Sequence, residues 1–286
     1  MVVPAAQMLR FTQHDMSDTI IQTWKSTDVK YFEVAKSSHV RFRLHRWWAI
    51  VLLVACTLLF AACGGGSAST ATRSTVAPSE PTATPTSLLL SHAVVYVALG
   101  ASDAVGVGAN NPATQGYVPR IAARLPSGSR TVDLGISGIH LHEALTRELP
   151  AAISAAPDLV TAWLVVNDFV SGVPYDSYMH DLNTLFEQLH TRTHARLVSA
   201  NIPDLTLLPA FSRLTAAQKT EMRLQIERWN AGIAALAGQY DVTLVDLYGH
   251  NSQLTAHPEY VSADGFHPSA AGYAQLANYF WQAIKQ

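Results

Sequence analysis

Cysteine is nearly absent from this chain of 286 residues, which contains only two. Cys56 lies inside an apolar run and Cys63 follows that run directly, so no cysteine occurs beyond residue 63. The larger C-terminal part of the chain therefore cannot form an internal disulfide and must be held together by its own hydrophobic core. A small disulfide-rich scaffold is excluded for that part.

Basic residues are also scarce in the C-terminal part of the chain. From residue 92 onward, 11 lysine and arginine residues stand against 16 aspartate and glutamate residues, a formal charge of −5. A mildly acidic surface without basic clusters argues against nucleic acid as a partner. Internal repeats and a phosphate-binding glycine loop are likewise absent from the sequence, and we expect neither a metal nor an organic cofactor.

The chain has one long hydrophobic run, Trp47 to Ala62, preceded by the basic segment Arg41 to Arg46. Its 16 residues fall short of the roughly 20 needed to span a bilayer comfortably. A basic segment before a short apolar run is typical of a signal peptide. The run ends in Ala-Ala-Cys63-Gly-Gly and resembles a bacterial lipoprotein signal, in which the cysteine is diacylated and becomes the new N-terminus. The alternative is a short membrane anchor that is never cleaved.

These segments divide the chain into four parts. Residues 1–39 have mixed composition and are either an extension that precedes a true translation start at Val40 or a genuine cytoplasmic tail. Residues 40–62 form the predicted signal peptide, and residues 63–91 are a linker rich in Gly, Ser, Thr and Pro. Residues 92–286 are one domain. Both readings of the apolar run place this domain outside the cytoplasm, held at a membrane.

The domain alternates apolar runs of strand length with segments of helical periodicity. Strands are predicted near 94–99, 130–134, 159–166, 196–200 and 242–247, and helices near 115–125, 142–155, 176–192, 215–238 and 270–285. This alternation predicts an α/β fold with a parallel sheet covered by helices on both faces.

Residues able to carry hydrolytic chemistry follow these strands. Ser102, Gly138 and Asn167 come after the first three strands, and the carboxyl ends of parallel strands meet at one edge of a sheet. Asp264 and His267 lie three residues apart, so in a compact turn the carboxylate can hold Nδ1 of the imidazole and leave Nε2 for Ser102. An acid, a base and a hydroxyl of this kind are the parts of an activated-nucleophile hydrolase.

Each of these residues also has a purely structural interpretation. Ser102 could cap a helix, Gly138 could serve only a turn, and Asn167 could close a strand in an Asx-turn. Asp264 and His267 could be turn and capping residues. These residues lie in four separate sequence blocks, around Ser102, around Gly138, around Asn167 and from Asp264 to His267. Four such blocks in order over a domain-sized stretch make the purely structural interpretation a poor explanation.

The four blocks resemble those of the SGNH, or GDSL, hydrolase family, whose name lists the Ser, Gly, Asn and His residues. The resemblance covers about residue 92 to the end and implies a three-layer α/β/α sandwich with a five-stranded parallel sheet of flavodoxin-like order. It implies that Ser102, His267 and Asp264 form the catalytic triad and that the N–H groups of Ser102, Gly138 and Asn167 hold the oxyanion. The implied activity is hydrolysis of a small-molecule or lipid-like ester through an acyl-enzyme, without metal or cofactor.

The sequence departs from the family pattern at two positions. Ala101 replaces the Asp that usually precedes the nucleophile, and Val165 replaces the Gly that opens the third block. Neither position supplies a proton or an oxyanion donor, so we expect altered packing and substrate preference before loss of activity. The alternative is a surface binding protein that keeps the fold but has lost turnover.

Three further features are open to interpretation. The apolar segment 205–211 after the fourth strand either packs over the sheet edge or forms a wall of an acyl pocket. Asp103 has no assigned role beyond a contact at a turn or helix terminus. His140 and His142 form a His-x-His pair without a third ligand, which is too weak a pattern to predict a metal site.

Overall fold

The protein is described by a computed structural model that covers residues 90–286. The predictions for residues 1–39, for the signal peptide at 40–62 and for Cys63 with most of the linker lie outside the described residues. Among residues 90–286, no helix combines the length and the apolar character needed to cross a membrane.

Five parallel strands form the centre of the domain. They are β1 (Val95–Gly100), β2 (Arg130–Asp133), β3 (Leu159–Trp163), β4 (Arg196–Ala200) and β5 (Thr243–Val245). Their order in the sheet is β2-β1-β3-β4-β5, and every neighbouring pair is parallel. This is the flavodoxin-like order, with β1 beside β3 at the point where the winding direction reverses. The predicted five-stranded α/β fold is confirmed.

Ten helices surround the sheet within residues 90–286. They are α1 (Ser102–Val105), α2 (Pro112–Gln115), α3 (Tyr117–Ala122), α4 (Leu141–Arg147), α5 (Leu149–Ser154), α6 (Val166–Val170), α7 (Tyr175–Arg192), α8 (Ala216–Gln239), α9 (Asn251–Ala256) and α10 (Ala270–Ile284). Short 3-10 turns occur at Leu205–Leu207, Pro209–Phe211 and Pro258–Tyr260.

The helices form one layer on each face of the sheet. Helices α3 and α10 pack together on one face, where Tyr117 stacks on Phe280 with ring centroids 5.0 Å apart. Helices α4, α5, α7 and α8 pack on the other, where Tyr178 stacks on Trp229 at 4.6 Å. All four rings are buried, so each helix layer is joined by aromatic contacts that exclude water.

Four predicted elements differ from the structure, and one of them is the fifth strand, which was predicted over 242–247 and spans only Thr243–Val245. The third strand ends at Trp163 instead of residue 166, and Val166–Val170 is a short helix that starts in a strand-like apolar sequence. The helix predicted near 115–125 is two helices that meet at Gly116, and the one near 142–155 breaks around Glu148. In the latter, Pro150 lacks the N–H that would continue the α4 hydrogen-bond ladder, so α5 begins afresh with Pro150 in its first turn.

Candidate active site

Ser102 lies at the turn between β1 and α1. The strand is buried from Tyr96 to Gly100, and Ser102 is the first residue of a single-turn helix that is capped by Gly106 with φ of 83°. A short helix after a buried parallel strand brings its first side chain to the carboxyl edge of the sheet. The Ser102 hydroxyl is directed to His267 and not to a helix N–H, although its side chain is only 7% exposed.

The segment before α10 forms a tight loop that presents the acid and the histidine. Val261 and Pro268 make an antiparallel bridge at its base, and the N–H of Ser262 donates to the carbonyl of His267 at 2.8 Å. Gly265 at the tip has φ of 76°, a conformation that a residue with a Cβ rarely adopts. The loop therefore sets the relative position of Asp264 and His267 by backbone contacts.

Three side chains form a continuous hydrogen-bonded series. Nδ1 of His267 lies 2.7 Å from Oδ2 of Asp264, and Nε2 lies 2.9 Å from Oγ of Ser102. This geometry fits the tautomer in which Nδ1 donates to the carboxylate and Nε2 accepts from the hydroxyl. The structure thus brings Ser102 to within hydrogen-bond distance of His267, which lies 165 residues further along the chain.

Ser262 is a site residue that sequence reasoning missed. Its hydroxyl donates to Oδ1 of Asp264 at 2.9 Å, and the same oxygen accepts from the N–H groups of Phe266 and His267 at 2.8 and 2.9 Å. With Oδ1 held by three donors, Oδ2 is left to face the imidazole. The available signal was a serine two residues before the acid, which is a common pattern in any turn.

The environment favours charge on both members of the acid–histidine pair. Burial acts to raise the pKa of Asp264, but the hydrogen bonds from the His267 ring and from two backbone N–H groups outweigh it and lower the pKa. Burial acts to lower the pKa of His267, but the hydrogen bond to Asp264 and the negative charges of Asp103 and Asp264 outweigh it and raise the pKa. The pair is therefore arranged to stabilise an imidazolium.

Gly138 and Asn167, the two predicted oxyanion donors besides Ser102, lie in segments that are hydrogen-bonded to each other. Gly138 has φ of 80°, and a Cβ at this position would meet no atom within 4 Å, so the residue faces open space. The Asn167 amide donates one N–H to the carbonyl of Ile139 at 2.9 Å, which orients the group and leaves its second N–H free of that contact. Neighbouring Asp168 is buried and accepts from the N–H of Leu141 at the start of α4, which ties helix α6, where Asn167 lies, to the segment that follows Gly138.

Asp103 makes a contact at a helix terminus, as expected from the sequence, and it also faces a pocket. Its carboxylate lies in the first turn of α1, where it is hydrogen-bonded to its own backbone N–H, and the side chain also lines a pocket beside the triad. The pocket encloses about 750 Å³, including space open to solvent. Its other walls are mainly apolar: Trp163, Val166, Pro203, Leu205, Leu208, Leu247, Leu254, Val261, Phe266, Pro268 and Leu276. Phe266 and Pro268 flank His267, so the pocket adjoins the catalytic loop.

The segment after β4 is both a packed loop and a pocket wall. Leu205 and Leu208 line the pocket, whereas Phe211 is fully buried. The carboxylate of Asp204 fixes this wall by accepting from Nε of Arg223 on α8 at 2.8 Å. The N–H of Ala210 donates to the carbonyl of Gly265 at 3.0 Å, so the wall is also bonded to the loop that carries the triad.

The two departures from the family pattern are absorbed by packing. Ala101 is 6% exposed and Val165 is 2% exposed, and both belong to the hydrophobic core.

The two histidines of the His-x-His pair each have a polar neighbour, since His140 contacts Ser171 and His142 contacts Asp181. Within residues 90–286, no group of three metal-ligating side chains lies together.

A parallel α/β/α domain with serine, histidine and aspartate hydrogen-bonded in series beyond its strand ends defines a serine hydrolase. Residues 98–275 match the GDSL-like lipase/acylhydrolase family, and the chain belongs to this family. It is accordingly a serine hydrolase that acts on ester bonds. The family predicted from the four sequence blocks is confirmed.

Solved structures with the same fold include TesA, an acetylxylan esterase and a lake-metagenome enzyme. TesA is 24% identical with a TM-score of 0.53 over 67% of this chain and 98% of its own. Axe2, an acetylxylan esterase from Geobacillus stearothermophilus, is 21% identical with a TM-score of 0.54 over 68% and 94%. LAE5, an α/β hydrolase from the metagenome of Lake Arreo, Spain, is 22% identical with a TM-score of 0.55 over 67% and 94%. At these identities the likeness establishes the fold. No curated protein matches the sequence.

Proposed function

We propose that this protein is a membrane-anchored extracytoplasmic esterase that works through an acyl-enzyme intermediate. His267 takes the proton of the Ser102 hydroxyl as Oγ attacks the ester carbonyl, and returns it to the leaving alcohol. A water molecule then releases the acyl group by the reverse proton transfers. Asp264 holds the imidazole and stabilises its positive charge. The observation that carries this mechanism is the hydrogen-bonded series of 2.7 and 2.9 Å from Asp264 to Ser102.

The negative charge of the tetrahedral intermediate is assigned to three N–H donors. These are the backbone groups of Ser102 and Gly138 and the free amide N–H of Asn167. Donors that are already oriented need no reorganisation during the reaction, and each one typically contributes about 2.7–4 kcal/mol to the transition state. The contact from Asn167 to Ile139 supports this role because it holds the amide in one orientation.

The substrates that fit best are acyl esters of small or lipid-like molecules. The pocket that Asp103, Phe266 and Pro268 help to line is mainly apolar, and its wall is bonded to the loop of Asp264 and His267 through Ala210 and Gly265. Burial of hydrocarbon contributes about 0.8 kcal/mol per CH₂, close to fourfold in an equilibrium or rate constant. Asp103 is the one acidic side chain of the pocket lining, and it lies next to the nucleophile in the chain.

A series of p-nitrophenyl esters of increasing acyl length tests this assignment. We expect kcat/KM to rise by about fourfold per added CH₂ until the pocket is filled. Leu276→Trp, which places a larger side chain in the pocket, should leave acetate hydrolysis within about twofold and cut the gain with chain length. Leu224→Trp, at an exposed site outside the pocket, is the matched control. A Leu276→Trp enzyme with an unchanged chain-length series would contradict the pocket assignment.

The proposed anchor rests on sequence features outside the described residues. Arg41 to Arg46, the short apolar run and Cys63 before a Gly/Ser linker support a lipoprotein signal. More than one acyl chain is needed for stable membrane residence, which a diacylated cysteine supplies. The catalytic domain would then stand off the outer face of the membrane on the linker.

Changing Cys63 to serine tests the anchor. We expect this variant to accumulate as unprocessed precursor without lipid, while the unaltered chain begins at an acylated Cys63. The measurement is the intact mass of the membrane-extracted protein, and Cys56→Ser is the matched control. A chain that retains Trp47 to Ala62 and carries no acyl mass would favour the uncleaved anchor. Esterase activity should survive in each case because a long linker separates the anchor from Ser102.

A further inference from the structure

A carboxyl group is buried behind the nucleophile turn without an obvious reason in the proposed reaction. Glu148 lies between α4 and α5 and is 1% exposed. Its Oε2 accepts from the backbone N–H of Gly100 at 3.1 Å. Its Oε1 is buried and has no hydrogen-bond partner within residues 90–286. Buried polar side chains without full pairing are rare and call for a physical explanation.

The contact with Gly100 completes the sheet at the point where β1 leaves it. The last register pair of β1 and β2 joins Ala98 to Asp133, and the N–H of Ile136 then donates to the Gly100 carbonyl at 3.0 Å. In a parallel ladder the N–H and carbonyl of one residue face the same neighbour. The Gly100 N–H therefore faces the β2 side after β2 has ended, and the Glu148 carboxyl stands where a strand carbonyl would have been.

This point also joins the two halves of the proposed site. Gly100 precedes the Ser102 turn, and through Ile136 it is bonded to the loop that carries Gly138. The same loop lies against the nucleophile helix, since a Cβ on Gly135 would stand only 2.7 Å from the Cβ of Ala104. A shift at Gly100 would therefore move the nucleophile relative to an oxyanion donor.

We propose that Glu148 is a positioning residue, whose neutral carboxylic acid replaces the missing strand partner of Gly100 and holds the nucleophile turn in register with the oxyanion loop. The proposal rests on the assignment of Ser102 as nucleophile. A neutral acid suits the position because its carbonyl oxygen accepts from Gly100 without leaving a charge buried among apolar groups.

The surroundings keep the acid protonated at neutral pH. Burial raises the pKa of Glu148 to about 8; the charge of Asp133 on β2 adds to the effect, and the Gly100 N–H and Arg147 on α4 oppose it. Unfolded, the same group titrates near 4.5. Between these values the folded protein retains a proton that the unfolded chain has released, so folding stability falls as pH rises from about 4.5 to about 8. Above about pH 8 the folded carboxyl ionises.

Two variants separate positioning from mere space-filling. Glu148→Gln keeps an acceptor for Gly100 but cannot ionise, and Glu148→Leu removes the acceptor. We expect kcat of the unaltered enzyme with a p-nitrophenyl ester to decline above about pH 8, where the folded Glu148 carboxyl ionises. The Gln variant should match the unaltered enzyme at pH 7 within about twofold and show no such decline. The Leu variant should show a kcat about tenfold lower with little change in KM, the pattern of a displaced reacting group. Glu143→Gln, on an exposed part of α4, is the matched control and should change neither quantity.

Thermal unfolding supplies a readout that does not depend on activity. The unfolding midpoint of the unaltered protein should fall more between about pH 5 and 8 than that of Glu148→Gln, and this comparison holds even if Glu148→Leu does not fold. A Gln variant with an unchanged alkaline decline, or a Leu variant with unchanged kcat, would overturn the proposal. Labelling by a serine-reactive phosphonate tests the assignment of Ser102 separately from that of Glu148. An unaltered enzyme that never labels refutes Ser102 as nucleophile, and the unfolding comparison for Glu148 stays valid.

Discussion

Replacing Ser102 with alanine is expected to reduce ester turnover by about 10⁶-fold, the order of loss typical when the nucleophile of a triad is removed. The physical reason is that Oγ is the atom within 2.9 Å of the His267 base and that alanine offers no atom to form the acyl-enzyme. The thermal midpoint should change little, because the hydroxyl makes no contact that holds the fold. The measurements are steady-state kinetics, labelling by a phosphonate probe and thermal unfolding.

Ser137→Ala is the matched control for this experiment. Ser137 is an exposed serine in the loop of Gly138 and should keep full labelling when replaced. A Ser102→Ala protein that still labels would refute the nucleophile assignment. If the unaltered protein folds but neither labels nor hydrolyses any ester in the series, the binding-protein alternative suggested by Ala101 and Val165 replaces the esterase proposal.

Changing Asp264 to asparagine should lower kcat by about 10⁴-fold while leaving the loop folded. The asparagine carbonyl oxygen can still accept from Ser262 and from the backbone N–H groups that now bond Oδ1. Its amide would then face Nδ1 of His267 and donate to it, which forces the proton onto Nε2. An imidazole with a proton on Nε2 cannot accept the proton of Ser102.

The pH dependence of the same pair gives a second measurement. His267 must be neutral to act as a base, and its raised pKa shifts the acid limb of kcat/KM to higher pH than an ordinary histidine would give. In Asp264→Asn the hydrogen bond to the Asp264 carboxylate and its charge no longer raise this pKa and only the charge of Asp103 still does, so the limb should move to lower pH. Asp176→Asn, at an exposed site on α7, is the control. A limb that stays in place in Asp264→Asn would contradict the coupling of the two residues.

The strands could be predicted from the sequence because each is a short apolar run between polar segments. The long helices α7, α8 and α10 also followed from their periodicity to within one residue at each end. The third strand was predicted too long because Leu164, Val165 and Val166 continue its apolar character. These three residues are buried or half-buried, but they lie in a loop and a helix turn. Their apolar side chains therefore indicate burial and do not indicate that they pair in a strand.

The geometry between distant segments could not be obtained in this way. Ser262 and Asp103 carry no pattern that distinguishes them from ordinary turn residues, and their importance comes from the oxygen and the pocket that they face. In the sequence, Glu148 is an ordinary polar residue of a predicted helix. Only the structure shows that its carboxyl occupies the position beside Gly100 that is left when β2 ends.

The sequence alone determined the family, the α/β class and the order of the four blocks, because these depend on residue types and on local periodicity along the chain. It also identified the candidates: Ser102, Gly138 and Asn167, because they follow predicted strands, and Asp264 and His267, because they lie three residues apart. Only the tertiary structure decided which atoms meet: the 2.9 Å contact between Ser102 and His267, the pocket beside Asp103, and the carboxyl of Glu148 under the nucleophile turn. The reason is that distances across 165 residues are set by the packing of helices on the sheet, which local sequence does not encode.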